Sequence, residues 1–186
     1  LRREKNPHHT GTEAYNWFLC VLFPASELKI LPYNRIVLDL NDRTPGVLAA
    51  EVKAQFGLEE KAPPAPVATG RVSMYLDGKW HGLRCPADPA ADPVARLDVS
   101  VLQDKLLAPL LGIDDPRTSK RIDFVGGIRG PGELVKRVDA DGGVAFSLYP
   151  VSIAQLMDIA DAGQIMPPKS TWFEPKLRSG FFIHTF

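Results

Sequence analysis

The chain has 186 residues, of which 45% are hydrophobic and 24% charged, and this composition is typical of a folded globular protein. Its 22 Lys and Arg residues balance its 22 Asp and Glu residues, which disfavours bulk binding to nucleic acid or to an acidic membrane surface. The longest apolar run, Trp17 to Pro24, is too short to span a bilayer, and no signal-peptide pattern is present.

The only cysteines, Cys20 and Cys85, lie far apart and have no further thiol at the spacing of a metal site. We expect both thiols to be free and the protein to be soluble and cytoplasmic, because free thiols persist in reducing compartments. Residues Leu1 to Lys5 lack an initiating Met and are typical of the last turn of a helix that Pro7 ends. Residues 1–186 are therefore expected to form a single α/β domain, the C-terminal portion of a longer chain.

In chain order, the first predicted element is a strand at Asn16 to Phe23, because a near-continuous apolar run is typical of a central strand covered on both faces. Leu28 to Leu31 and Arg35 to Leu38 predict two further strand segments. Pro32 separates them and cannot donate to a ladder, so a bulge or a sheet edge is expected there.

Thr44 and Pro45 predict the N-cap and first position of an amphipathic helix, whose apolar residues recur at helical spacing until Gly57. A short proline-rich crossing follows at 61–69. The dipeptide Asp77-Gly78 lies between two strand-like runs and predicts a β-hairpin, because both positions of a tight turn need positive φ.

A helix is predicted at Leu97 to Leu111, capped by Asp98 or Ser100 and bent or ended by Pro109. Beyond it, strands and helices alternate, which predicts βαβ units on a mixed or parallel sheet. These elements are strand Ile122 to Val125, helix Pro131 to Val138, strand Val144 to Tyr149, helix Ser152 to Ala162 and strand Phe181 to Thr185. The predicted fold class is α/β (or α+β), with a mixed β-sheet, packed helices and a β-hairpin excursion.

The first candidate site contains Gly126, Gly127 and Arg129, at the end of a predicted strand and before a predicted helix. Exposed backbone N–H groups and a helix N-terminus favour an anion there, and Arg129 could bind a phosphate or a carboxylate. The spacing differs from Gly-x-Gly-x-x-Gly, and there is no Walker lysine. A tight turn before Pro131 is the alternative interpretation.

The second candidate site is Met166 to Lys176, where prolines fix an extended backbone. Its cations and hydroxyls suit an anionic oxygen and are Lys169, Ser170, Thr171 and Lys176. A rigid surface crossover with Trp172 and Phe173 as buried anchors is the alternative.

We expect Arg129 and Lys169 to converge on one anion site at the carboxyl end of the sheet, where open α/β sheets bind ligands. The competing interpretation pairs these two side chains with Asp123 and Glu174 as structural locks.

Arg35 interrupts an apolar strand, and a buried Arg must be paired, so it is either the partner of an acid or a ligand contact. The pair His8-His9 is predicted to be solvated and not a metal site, because adjacent histidines of an extended segment point in opposite directions. His81 and His184 are lone histidines for which hydrogen-bonded positions are expected.

Four stretches of the chain resemble the bacterial family called domain of unknown function 1015. They are Asn6 to Gly11, Leu28 to Arg35, Asp123 to Arg129 and Met166 to Lys176. Members of that family are longer, with an N-terminal half that ends in an Asp-Gly-His-His-Arg motif. This motif is similar to one in ParB-like proteins, some of which bind nucleotides or phosphorylate free serine. The resemblance strengthens the functional interpretation of Arg35, Arg129 and Lys169.

Two functions of different classes follow from the residues and the resemblance. The first is an enzyme, such as a phosphotransferase when intact, in which this half binds a small anionic metabolite or a nucleotide. The second is a non-enzymatic ligand-binding or regulatory protein. The expected partners are a small anionic molecule and the protein's own N-terminal half, without a metal. A nucleotide is the candidate cofactor of the full-length protein, and the substrate and reaction stay open.

Overall fold

The computed structural model describes residues 1–185, and the chain forms two compact units. One unit contains Leu1–Lys29 together with the residues from Glu174 onward, and the other contains Ile30–Phe173. The buried core and the cationic cleft described below are built from the second unit, and so is the sheet apart from its terminal residues Lys29 and Glu174.

Residues 1–185 contain one seven-stranded sheet. Its strands are β1 (Lys29–Val37), β2 (Leu58–Glu60), β3 (Arg71–Leu76), β4 (Lys79–Arg84), β5 (Ile122–Gly126), β6 (Val144–Leu148) and β7 (Thr171–Glu174). The strand order is β2-β4-β3-β6-β1-β5, and β7 pairs with β1 outside this path. The predicted α/β (or α+β) fold with a mixed sheet, packed helices and a hairpin is confirmed.

The helices accompany the sheet in the predicted order. They are α1 (Arg2–Lys5), α2 (Pro45–Phe56), α3 (Asp98–Leu102), α4 (Gly130–Asp141) and α5 (Ile153–Asp161). The longest of them have 12 residues, and in the described part of the chain no helix has the length and apolar character that a membrane crossing needs.

Helix α4 connects β5 to β6, which run parallel to each other as the alternating pattern predicts. Strand β1 lies between them and is antiparallel to both, with Arg35 opposite Phe124 on one side and Phe146 on the other. The connection is therefore a split βαβ unit. Along the whole path from β2 to β5, each strand is antiparallel to its neighbour.

Local turn and cap signals are confirmed where short-range chemistry decides the backbone. The hydroxyl of Thr44 accepts a hydrogen bond from the N–H of Val47 at 3.3 Å, and Gly57 ends α2 with a φ of 64°. In the hairpin between β3 and β4, Asp77 and Gly78 have φ angles of 49° and 74°, as a tight turn of this kind requires.

Both faces of the sheet are covered. Alternate residues of a strand point to opposite faces, so each face has its own set of apolar side chains. On one face, Ile36 and Val125 pack with Leu134 and Val138 of α4. On the other face, Val37 packs in a larger cluster to which α2, α3 and the turn after α3 contribute. Strand β1 is buried along its second half on both faces and lies between β6 and β5, next to the end of the strand order.

The predicted strands at Asn16 to Phe23 and at Phe181 to Thr185 are wrong. In the described residues, neither segment forms a strand, and the side chains of Phe18 and Leu22 are 90% and 89% exposed. An apolar run becomes a strand only where a neighbouring strand satisfies its backbone groups, and composition does not show whether such a neighbour exists.

The predicted division into two strand segments at Pro32 is wrong, because β1 continues through Pro32 as one strand. The ladder to β5 begins at the next residue, Tyr33. The predicted helix at Leu97 to Leu111 is shorter, because α3 gives way to a π-helical turn, Gln103–Leu107, before Pro109.

Neither residue proposed as the cap of α3 has that role. Leu97 occupies the N-cap position without a side-chain hydrogen bond. The carboxylate of Asp98 instead accepts a hydrogen bond from the N–H of Gly70 at 2.8 Å, and the hydroxyl of Ser100 has no hydrogen-bond partner within residues 1–185.

The buried Asp98 carboxyl makes the stability of the fold depend on pH. Burial raises its pKa to about 6, against the opposing effect of the Gly70 N–H. Because this pKa lies above the unfolded value of about 3.9, the folded state binds the proton more tightly, and Asp98 lowers stability as pH rises from about 4 through about 6.

We expect Asp98→Asn to gain stability over the parent chain by about 3 kcal/mol between pH 4 and pH 7, measured by urea unfolding. Asp77→Asn, in the exposed hairpin turn, is the matched control. If the free energy of unfolding of Asp98→Asn differed from that of the parent by the same amount at every pH, Asp98 would not have the raised pKa.

Candidate functional site

An open cleft of about 300 Å³ lies beside β5, at the end of the strand order, where α4 and the segment leading into β7 complete its walls. The cleft is lined by cations, aromatic rings and one carboxylate. Its residues are Tyr33, Asp123, Phe124, Val125, Gly126, Arg129, Arg137, Lys169 and Trp172. We call it the cationic cleft, because Arg129, Arg137 and Lys169 face a single carboxylate, that of Asp123.

The structure brings Arg129 and Lys169 into the lining of the same cleft, although 40 residues separate them in the chain. The cleft does not lie at the carboxyl edge of a parallel sheet, where it was expected. The cleft adjoins the carboxyl end of β5, but the neighbouring β1 is antiparallel to β5. No edge shared by the carboxyl ends of neighbouring strands forms there, so side chains from the edge strand, α4 and a loop build the cleft.

Arg137 is the residue that sequence reasoning missed. Its Nη2 donates to the Oδ2 of Asp123 at 2.6 Å, and its side chain is 29% exposed. Burial by itself would raise the pKa of Asp123, but the hydrogen bond from Arg137 and the charges of Arg137 and Arg129 hold it below its ordinary value. Asp123 therefore stays ionised and orients the Arg137 guanidinium at the cleft.

The spacing of residues in β5 and α4 could have predicted the pairing of Asp123 with Arg137. Asp123 and Val125 are two residues apart on β5 and therefore point to the same face of the sheet, the face that α4 covers with Leu134 and Val138. A basic residue on the same side of α4 as these two would meet Asp123, and Arg137 lies three residues after Leu134.

Arg129 lies at the start of α4 with its side chain 67% exposed. Its ion pair is a long one, 3.6 Å from Nη1 to the Oε1 of Glu133. The structural lock with Asp123 is not formed, because Asp123 pairs with Arg137. Arg129 therefore presents a solvated guanidinium at the cleft, where an anion could bind it at little desolvation cost.

The position of Lys169 is fixed by its backbone conformation and by a hydrogen bond to its carbonyl. Its φ is 56°, its carbonyl accepts a hydrogen bond from Nη2 of Arg35 at 3.1 Å, and its ammonium lies over the ring of Tyr33, 5.4 Å from the centroid. Within residues 1–185, the Lys169 ammonium forms no ion pair.

Arg35 is 3% exposed and lies over the ring of Phe124, 5.5 Å from the centroid. Its guanidinium donates to the backbone carbonyls of Tyr33 and Lys169, so the acidic partner that one interpretation required is absent in the described part of the chain. Burial lowers the pKa of Arg35 to about 9, and the side chain remains charged at neutral pH. Arg35 therefore connects the Lys169 loop to β1.

The two glycines at the end of β5 allow close packing. A Cβ on Gly126 would lie 2.5 Å from Cζ3 of Trp172, and one on Gly127 would lie 2.6 Å from Cδ of Pro32. Trp172 can form a wall of the cleft only because residue 126 has no side chain.

The remaining members of the predicted anion set lie outside the cleft. Ser170 is buried and donates to the carbonyl of Pro167 at 2.6 Å, and Thr171 begins β7 without lining the cleft. Lys176 belongs to the other compact unit.

The histidines and cysteines have separate environments. His9 Nδ1 lies 3.0 Å from the Tyr15 hydroxyl, and His184 Nε2 lies 2.8 Å from the Ala14 carbonyl. The expectation of a hydrogen-bonded His81 is wrong for its buried Nδ1, which has no partner in the described residues. Both cysteines are free, as predicted.

Comparison with known proteins identifies the family. The model of the family described as protein of unknown function (DUF1015) matches residues 1–100. This range is more than half of the 186-residue chain, and the chain belongs to that family. The matched range includes Tyr33 and Arg35 and ends before β5.

No curated protein matches the chain. Two solved structures are similar to it, a mutant of free serine kinase in complex with AMP at 13% identity and another mutant in complex with ADP at 15% identity. For each, the TM-score is 0.42, and the match covers 79% of this chain and 54% of the other. The chain thus spans about half the length of those structures, and likeness at this level does not establish a shared activity.

The packing of Trp172 on Gly126 can be tested by adding one methyl group. Gly126→Ala would place its Cβ within the Trp172 ring and should lower stability by about 1 to 3 kcal/mol, the usual effect of overpacking. Gly132→Ala in the first turn of α4 is the matched control, because nothing lies within 4 Å of its Cβ position. That variant should be neutral or up to about 1 kcal/mol more stable.

Thermal and urea unfolding of both variants measure the difference. Equal stabilities of Gly126→Ala and Gly132→Ala would show that Trp172 does not depend on the missing side chain.

Proposed function

We propose that the cationic cleft binds a small anionic metabolite or a nucleotide through its phosphate groups. The main support for this proposal is that one cleft is lined by Arg129, Arg137 and Lys169, which come from two separate parts of the chain. Cations outnumber carboxylates there by three to one, in a chain whose formal net charge is zero. An excess of positive charge is unfavourable once water leaves the cleft, unless a bound anion balances it.

The three cations offer complementary contacts to a phosphate. Arg137 is held by Asp123 and is pre-oriented, Arg129 is solvated and adjustable, and Lys169 supplies a point charge from the opposite wall. Guanidinium groups bind two phosphate oxygens at once, while an ammonium group binds one. The cleft volume of about 300 Å³ is at the lower end for ligand sites, which favours a phosphate group or a small phosphorylated molecule.

The same residues bear on whether the intact protein is a phosphotransferase. Positively charged groups stabilise the charge that develops on a transferred phosphoryl group, so the cleft is suited to that part of the reaction. Its only carboxylate, Asp123, is bound to Arg137 and has a lowered pKa, which makes it a poor general base. In this proposal, the acid/base residues of a phosphotransferase would come from another part of the full-length protein.

A non-enzymatic ligand-binding or regulatory protein is the second candidate function. The observation that favours it is the same shortage of an acid/base group among the residues that line the cleft. A cytoplasmic location fits both functions, because the two cysteines are free.

Charge removal in the cleft should weaken anion binding. Each charge-assisted hydrogen bond contributes about 1.5 to 3 kcal/mol, so Arg129→Gln, Arg137→Gln and Lys169→Gln should each lower the affinity for pyrophosphate or ADP by about tenfold or more. Lys53→Gln, an exposed change on α2, removes the same charge elsewhere and should leave the affinity unchanged. Calorimetric titration of the chain measures these affinities.

Thermal melts of the same variants separate binding from structure. If Arg129→Gln and Lys169→Gln lowered the melting temperature and left the affinity unchanged, both side chains would be structural and the proposed site would be refuted.

Turnover distinguishes the two candidate functions. A phosphotransferase should consume ATP or ADP when the full-length protein is supplied with an acceptor, and Arg137→Gln should lower the rate. Saturable nucleotide or phosphate binding without turnover would support the regulatory function.

A further inference from the structure

A cluster of polar side chains near the start of the chain lies outside the cationic cleft, in the compact unit that contains Leu1–Lys29. At its centre, Nδ1 of His9 lies 3.1 Å from Oε2 of Glu13 and 3.0 Å from the hydroxyl of Tyr15. The rings of His9 and Tyr15 are stacked, with centroids 5.9 Å apart and planes 20° apart. Nδ2 of Asn6 donates to the same hydroxyl at 2.9 Å. These contacts fix the position and the orientation of the His9 ring.

Neutral donors keep the Glu13 carboxylate ionised. Its Oε1 accepts hydrogen bonds from the N–H and the hydroxyl of Thr10 at 2.6 and 3.0 Å. Its Oε2 accepts from the N–H of Gly11 at 3.0 Å and from Nδ2 of Asn16 at 2.9 Å. The hydrogen bonds from Thr10 and Gly11, above all that from the Thr10 N–H, lower the pKa of Glu13 to about 2 against the opposing effect of burial. At neutral pH, Glu13 therefore presents a negative charge to Nδ1 of His9.

The charge on Glu13 determines which ring nitrogen of His9 carries the proton. A carboxylate oxygen and a ring nitrogen lie 3.1 Å apart only when a hydrogen is between them, so Nδ1 donates to Oε2 of Glu13. In the neutral ring, the lone pair then lies on Nε2. Within residues 1–185, Nε2 of His9 makes no hydrogen bond, and it is not one of the side-chain atoms that are buried without a partner. With the His9 side chain 20% exposed, this basic nitrogen is open to a reactant.

We propose that His9 is a nucleophilic histidine that accepts a phosphoryl group on Nε2 from a donor of the phosphoramidate class. The Nε2 lone pair forms the N–P bond, while the bond from phosphorus to the donor's amine breaks and the amine leaves as a neutral molecule. The proton on Nδ1 stays in place, so the phosphorylated ring carries a positive charge. Glu13 stabilises that charge through the Nδ1 hydrogen bond, as a carboxylate does for the imidazolium of a catalytic histidine.

A phosphoryl donor suits this cluster better than an acyl donor. Phosphoryl transfer passes through a loose transition state, for which an oriented nucleophile is a main requirement. Acyl transfer also needs free N–H donors for an oxyanion. The backbone N–H groups of residues 8–11 are all occupied by hydrogen bonds, to Asn6 for residues 8 and 9 and to Glu13 for residues 10 and 11. The inference does not depend on the function proposed for the cationic cleft.

The test treats the whole chain with potassium phosphoramidate at mildly alkaline pH. Mass spectrometry of the intact protein follows the addition of one phosphoryl group, and fragmentation that preserves the N–P bond locates it. His9 should be labelled at least about tenfold faster than His8, because Glu13 stabilises the charge that develops on the His9 ring. His8 is the matched control, since it is the adjacent residue, is exposed and forms no ion pair within residues 1–185.

Three variants separate the roles of the residues. His9→Asn should remove the fast labelling, whereas His8→Asn should retain it. Glu13→Gln keeps the shape of the side chain but removes its charge, and should slow labelling of His9 by about tenfold. Arg129→Gln, in the cationic cleft, should leave the labelling rate unchanged.

A second measurement needs no variant, because Glu13 also orders the turn at Thr10 and Gly11 and its replacement could disturb that turn. Long-range ¹H–¹⁵N NMR of the parent chain reports which nitrogen of each neutral histidine ring carries the proton. His9 should be protonated on Nδ1 and unprotonated on Nε2.

Several results would overturn the proposal. They are the absence of labelling, equal labelling rates at His8 and His9, a phosphoryl group on Nδ1 of His9, and a neutral His9 ring that is protonated on Nε2. Labelling of a folded Glu13→Gln variant at the parent rate would overturn it as well. Pyrophosphate affinity is a separate readout of the cationic cleft, so failure of this proposal and failure of that site are distinguishable.

Discussion

The geometry of the cationic cleft depends on one buried interaction, the guanidinium of Arg35 bound to the carbonyls of Tyr33 and Lys169. Tyr33 belongs to β1, whereas Lys169 lies 134 residues from Arg35 in a loop. A charged group with five N–H donors can hold two carbonyls at once, which no apolar side chain could do. The interaction fixes the loop so that Lys169 lines the cationic cleft.

The cationic cleft also needs room beside the last strand. Gly126 and Gly127 provide it, because Trp172 and Pro32 pack where their side chains would otherwise lie. The conformational freedom of glycine plays no part at these positions. Their small size lets the loop approach the strand closely, and the three cations then line one cleft. Packing and electrostatics are therefore linked at this cleft.

Sequence reasoning succeeded where a few neighbouring residues determine the backbone. The cap at Thr44 and the turn at Asp77-Gly78 follow from local hydrogen bonds and φ preferences. It failed where distant segments decide the outcome. Asn16 to Phe23 is apolar but forms no strand in the described part of the chain, and the role of Arg137 follows only from the packing of α4 against β5. Arg129 and Lys169 were found from their residue types, but the antiparallel setting of their cleft was not.

The central claim is that Arg35 positions Lys169 for anion binding, and a double-mutant cycle tests it most directly. Pyrophosphate affinity is measured for the parent chain, Arg35→Lys, Lys169→Gln and the double variant. A lysine keeps the charge at position 35 but cannot hold both carbonyls, so Lys169→Gln should cost about tenfold in the parent and less than about twofold in the Arg35→Lys background. Additive losses, within about 0.5 kcal/mol, would show that the two residues act independently and would contradict the account.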